Sequence, residues 1–133
     1  MSTELDMILR LLLSAVLGAV IGYQRERSGK QAGLRTNTLI CVGAALVTVV
    51  SIYGFNAEDT ARVAAGVITG IGFLGAGAII RGGEGIVAGL TTAATIWAVA
   101  GIGLAAGAGL YAVAAVATVI ILAVLLIPHS ISK

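Results

Sequence analysis

The chain has 133 residues, of which 59% are apolar and only 11% charged, with a formal net charge of +2 and a mean hydropathy of +1.08. Those values exclude a water-soluble domain of this length. One cysteine, Cys41, excludes an intrachain disulfide, and one histidine, His129, excludes a histidine-rich metal site. The expected class is an all-α polytopic membrane protein, a single domain over residues 1–133.

The N-terminus carries Glu4 and Asp6 and no basic run, the reverse of a signal peptide, so the first apolar segment is expected to be retained. Five spans are predicted, over residues 7–23, 36–53, 61–80, 89–106 and 109–127, each near the roughly 20 residues that cross a hydrocarbon core. Treating 89–127 as one helix would exceed ordinary tilt, so a turn is placed at Gly107-Ala108-Gly109. Arg25, Arg27, Lys30 and Arg35 in the first loop, Arg81 in the third and Lys133 at the end share one side. Arg10 and Arg62 fall opposite, with Glu4, Asp6, Glu58 and Asp59. The positive-inside rule then puts the N-terminus outside and the C-terminus in the cytoplasm. Tyr23, Tyr53 and Tyr111 sit at span ends, whereas Trp97 is mid-span and faces a neighbouring helix or lipid.

Residues 32–36 read Ala-Gly-Leu-Arg-Thr and residues 88–92 read Ala-Gly-Leu-Thr-Thr, with Ile40 and Ile96 at the same offset. Gly18-Ala19 and Gly75-Ala76 close the preceding spans. Two parallel helical hairpins and a fifth helix would follow, against a chance match of common residues. Gly18 and Gly22, Gly66 and Gly70, and Gly103 and Gly107 have GxxxG spacing. Such pairs let backbones approach closely, within one chain or at a homodimer seam. Packing is favoured over a glycine-lined solute path, because glycine supplies no coordinating group. The denser run Gly70, Gly72, Gly75 and Gly77 could bend or break span three.

Polar chemistry gathers on the cytoplasmic side. Arg35, Thr36, Asn37 and Thr38 open span two; Thr91, Thr92 and Thr95 open span four. Their hydroxyl and amide groups are expected to cap free N–H groups. Two helix starts with Arg35 and Arg81 nearby would suit an anion, whether lipid headgroup, phosphate or partner carboxylate. The competing reading is capping plus the ordinary positive-inside signal. No Asp or Glu lies mid-span, so a dehydrated magnesium path is poorly supplied with ligands. Glu58 and Asp59 could bind a divalent ion weakly. With no nucleophile–base set, metal-ligand cluster or nucleotide loop, neither an enzyme nor a cofactor is expected.

Several stretches, taken in order, carry a resemblance: Arg25-Glu26-Arg27, Gly29-Lys30 and Ala32-Gly33-Leu34-Arg35-Thr36, then Ala61-Arg62-Val63-Ala64-Ala65. Gly70-Ile71-Gly72-Phe73-Leu74-Gly75-Ala76-Gly77 and Gly89-Leu90-Thr91-Thr92-Ala93-Ala94-Thr95-Ile96-Trp97 complete the set. Together they resemble the membrane domain of the MgtC/SapB family over nearly the whole chain. The resemblance implies a bacterial inner-membrane regulator linked to growth in low magnesium and to virulence inside macrophages. An inhibitory contact with the membrane ATP synthase is attributed to the namesake, and magnesium transport is the alternative function. It directs attention to Arg35, Thr36, Asn37, Asp59, Arg62, Arg81, Thr91, Thr92 and Trp97. Expected partners are membrane lipid, a second copy of the chain and a membrane protein, not nucleic acid. Longer relatives carry a soluble domain beyond the last span, so that function is expected to be absent or supplied by another polypeptide. Family sequences often have Glu at Gln24 and Arg at Ala88; the namesake has Asn at Thr91 and Cys at Ala98.

Overall fold

A computed structural model describes residues 3–55, 60–81 and 86–128, the side chain of Arg81 excepted. These form helices α1 (Thr3–Arg27), α2 (Leu34–Gly54), α3 (Thr60–Arg81), α4 (Ile86–Gly107) and α5 (Tyr111–Leu125). The first four are long and apolar enough to cross a membrane. α5, with 15 residues, rises only about 22 Å. It is shorter than the predicted 109–127 span because its ends are set by backbone chemistry. Gly109 takes φ +83°, and its N–H bonds Ala106 O while that of Leu110 bonds Ala105 O. This glycine-terminated Schellman turn stops α4 where the Gly107-Ala108-Gly109 boundary was expected. At the other end Pro128 follows closely, a residue that cannot continue a helix.

α1 is longer than predicted, running on to Arg27 before a second Schellman turn. There Gly29 has φ +68°, with Gly29 N bonded to Glu26 O and Lys30 N to Arg25 O. α3 runs unbroken through its four clustered glycines.

α4 is the central element and touches the other four helices. Its outward stripe is Leu90, Ala94, Trp97 and Gly101, all exposed; the spacing i, i+4, i+7, i+11 is one helix face. Trp97 therefore points away from the bundle, 57% exposed. The remaining faces are buried, and the core around them is small-residue-rich: Cys41, Ala100, Ala106 and Ala114 with Ile21, Val99 and Ile102.

Glycine decides how close the helices come. A Cβ on Gly18 would sit 2.7 Å from Cys41 Cβ and 2.9 Å from Asn37 O, and one on Gly22 2.7 Å from Leu34 Cα. On Gly103 it would meet Cys41 O at 2.3 Å, and on Gly107 Ala45 O at 2.7 Å. α1 and α4 thus press onto α2 with backbone touching backbone. The α3–α4 hairpin is looser, with Gly75 at 3.4 Å from Ala93 Cβ and Gly89 at 3.3 Å from Ile79 Cα. The two hairpins use similar registers, one residue apart: Gly18 faces Asn37 and Gly75 faces Ala93. Under the 32–36 to 88–92 match, Asn37 corresponds to Ala93 and Gly33 to Gly89, and these are the positions that meet the preceding helix. Gly66 and Gly70 differ, since among the described residues nothing lies within 4 Å of a Cβ on either.

Candidate functional site

The buried stripe of α1 is Ser14, Leu17, Gly18, Ile21, Gly22 and Arg25. Its helical spacing carries Arg25 inward, where it is 3% exposed. Arg25 Nη2 donates to Thr92 Oγ1 of α4 at 2.5 Å and to Gln31 O at 3.3 Å. A cation in the last turn of a helix also faces that helix's free carbonyls. Arg25 therefore clasps α1, the α1–α2 loop and the second turn of α4 together.

The loop is built around that clasp. Ala32 has φ +53°, a left-handed conformation that costs a non-glycine residue about 1–2 kcal/mol. Asn37 holds it in place, donating from Nδ2 to Ala32 O at 2.6 Å and to Gly33 O at 3.0 Å. Glu26 Oε1 accepts from Leu34 N at 3.3 Å, so a carboxylate from α1 caps the positive end of α2. A Cβ on Gly33 would stand 2.8 Å from that same Glu26 oxygen, so a larger residue there would push the capping carboxylate aside. Asn37 Oδ1 and Thr38 Oγ1 are buried with no hydrogen-bond partner among the described residues, and each can accept a donor from water or a ligand.

Of the residues expected to matter, the structure brings Asn37 and Thr92 to this knot. Arg35 and Thr36 are exposed, so Arg25, not Arg35, is the arginine that reaches from α1 to α4. Thr91, Thr92 and Thr95 donate to the carbonyls of Val87, Ala88 and Thr91. They do not cap N–H groups as expected, because each lies inside a helix already under way. Arg62 is exposed at the start of α3, remote in the fold from the knot. Asp59 and Glu58, the expected weak divalent site, lie outside the described residues, as does the Arg81 side chain. Among the described residues no group of three or more His, Cys, Asp or Glu side chains converges.

Sequence reasoning missed Arg25 as an internal residue, counting it with the loop cations. Two signals could have found it. It shares a stripe with Gly18 and Gly22, and it stands seven residues before Ala32 as Arg81 stands before Ala88.

The opposite end has its own polar cluster. Arg10 pairs with Asp6 at 2.6 Å, donates to Gly107 O at 2.9 Å and lies 5.2 Å from the Tyr53 ring centre. Tyr111 donates to Asp6. Tyr53 and Tyr111 thus fasten α1 to α2 and α5.

Fold and site define a polytopic helical membrane protein locked at one end by a buried arginine. The chain belongs to the MgtC family, whose model matches residues 11–133. It is 48% identical over 103 residues to "Putative magnesium transporter YhiD" of Escherichia coli (strain K12), covering 71% of this chain and 47% of that protein. It is 49% identical over 94 residues to Protein MgtC of Salmonella typhimurium (strain LT2), covering 71% of this chain and 40% of the relative. The chain thus spans less than half the length of these relatives. No solved structure matches.

Proposed function

We propose that this chain is a regulatory protein of the bacterial inner membrane, without catalytic activity, that acts by helix–helix contact with another membrane protein during adaptation to low magnesium. The observation carrying this reading is the free face of α3. Only 6% of its most apolar stretch is buried, against 44% for α4. Gly66 and Gly70 lie open on it, with Phe73 82% exposed between the turns. An apolar groove of about 380 Å³ runs beside them, lined by Leu39, Gly43, Val47, Val67 and Gly70. Small residues beside a projecting aromatic suit a partner helix seated at close range. The membrane ATP synthase, which the family resemblance brings forward, is the first partner to try. A homodimer is the competing occupant of the same face.

The positive-inside count supports an N-terminus outside and a C-terminus in the cytoplasm. Photo-crosslinking from Phe73, on the same face as Gly66 and Gly70, in intact cells tests the reading. A captured partner should disappear in Gly70→Leu while membrane insertion is retained; unchanged capture would count against it. The second reading is a small magnesium or other ion transporter formed by an oligomer, and the name of the Escherichia coli relative supports it. Protein-dependent magnesium flux into proteoliposomes would favour that alternative.

A further inference from the structure

We propose that the cleft between α1 and α5 is a binding site for one diacyl phospholipid with an anionic headgroup. This stands apart from the reading of α3 and concerns a different face.

The cleft is about 860 Å³, within the range of about 300–1,000 Å³ typical of small-molecule sites. Its wall is graded along one stripe of α1. Val16, Val20, Tyr23 and Arg27 follow at i, i+4, i+7 and i+11, so they stack on a single helix face. Val16 and Val20 face Leu122 and Leu126 across the cleft and make its aliphatic part. Above them come the aromatic ring of Tyr23 and then the guanidinium of Arg27, both exposed. That order matches a lipid read from chain to glycerol to phosphate, with Tyr23 at headgroup depth.

The mouth is set up for an anion. Arg27 lies 5.8 Å from the Tyr23 ring centre and donates from Nη1 to Tyr23 Oη at 3.3 Å, which fixes the guanidinium at the cleft rim. Among the described residues it has no carboxylate partner at salt-bridge distance. Glu26, its neighbour, is turned instead to the start of α2. Ser28 and Gln24 stand beside it, joined by a Gln24 Nε2 to Ser28 Oγ bond of 3.2 Å. Among the described residues Gln24 Oε1 is buried without a partner and accepts a donor such as a glycerol hydroxyl. A planar guanidinium recognises phosphate oxygens bidentately, and basic groups between membrane helices are where anionic headgroups settle.

Charge complementarity decides among occupants. The end of α1, the first loop and the start of α2 carry Arg27, Lys30 and Arg35, besides the buried Arg25, against the single acid Glu26. A second copy presenting the same face would set like charge against like charge.

The test is native mass spectrometry of the full chain released from micelles with phosphatidylglycerol or phosphatidylcholine. One phosphatidylglycerol per chain should be retained in preference to phosphatidylcholine. Arg27→Gln should weaken that retention about fivefold, the share of one interfacial cation, whereas Arg62→Gln should leave it unchanged. Val20→Trp, which fills the aliphatic part, should lower retention of both lipids. Circular dichroism checks that each variant is folded. Equal retention of the two lipids, or selectivity indifferent to Arg27→Gln, would overturn the proposal. So would disulfide-linked dimers from Val20→Cys, which would seat a second copy in the cleft.

Discussion

Two adjacent threonines of α4 differ in what they hold. Thr92 accepts the hydrogen bond of a buried guanidinium, while the hydroxyl of Thr91 only bonds back to Val87 O. Hydrogen bonds to charged groups contribute about 1.5–3 kcal/mol. Thr92→Val should therefore lower stability in detergent by about that much, and Thr92→Ser should restore most of it. Thr91→Val should stay within about 0.5 kcal/mol of the parent. Thermal melts followed by circular dichroism would check this; equal losses at both positions would remove the clasp from the account. Ala32 offers the opposite sign. Its left-handed φ of +53° is natural for glycine, so Ala32→Gly should raise stability by about 1 kcal/mol. A loss on the same melts would show that the alanine methyl matters more than the strain.

Between elements, glycines of identical spacing have unequal jobs. Gly18, Gly22, Gly103 and Gly107 let α1 and α4 lie directly against α2, whereas Gly66 and Gly70 face outward. A methyl at Gly103 would stand 2.3 Å from Cys41 O, a distance relieved only by moving a helix. Gly103→Ala should cost about 3 kcal/mol or more. Gly70→Ala should leave the fold intact or gain up to about 1 kcal/mol of helix propensity. Size-exclusion profiles and melting points of the two purified variants would separate them. The fold was legible here because GxxxG and the period of buried positions are local signals. Which pair packs inward was not, since all three pairs read alike until α4 takes the centre.

On the scale of the molecule, the charged side chains that tie helices together among the described residues gather at the two ends of the bundle. Arg25, Thr92 and Asn37 close one, and Asp6, Arg10, Tyr53 and Tyr111 close the other. With the loop cations on the first end, Ser28→Cys should be shielded from an impermeant maleimide applied to spheroplasts, and Glu4→Cys should be labelled. A Cys41→Ala background removes the native thiol, which is buried in any case. The reverse pattern would invert the orientation. The candidate site was half visible in advance: Asn37 and Thr92 were singled out, but Arg25 was read as a loop cation. A charge count assigns side chains to a loop without knowing how far the helix runs. α1 continues to Arg27, and those added residues turn Arg25 into the bundle.

The sequence by itself determined the class, the number of helices, the Gly107-Ala108-Gly109 turn and the family. Each of these depends on hydropathy, local backbone preference or motif order, and none needs a distant contact. Tertiary structure alone decided that α4 is central, that α3 keeps an open glycine face and that Arg25 reaches Thr92 67 residues away. Those outcomes depend on which small-residue faces meet. Several faces of nearly equal composition compete for that contact, and only the assembled backbones select among them.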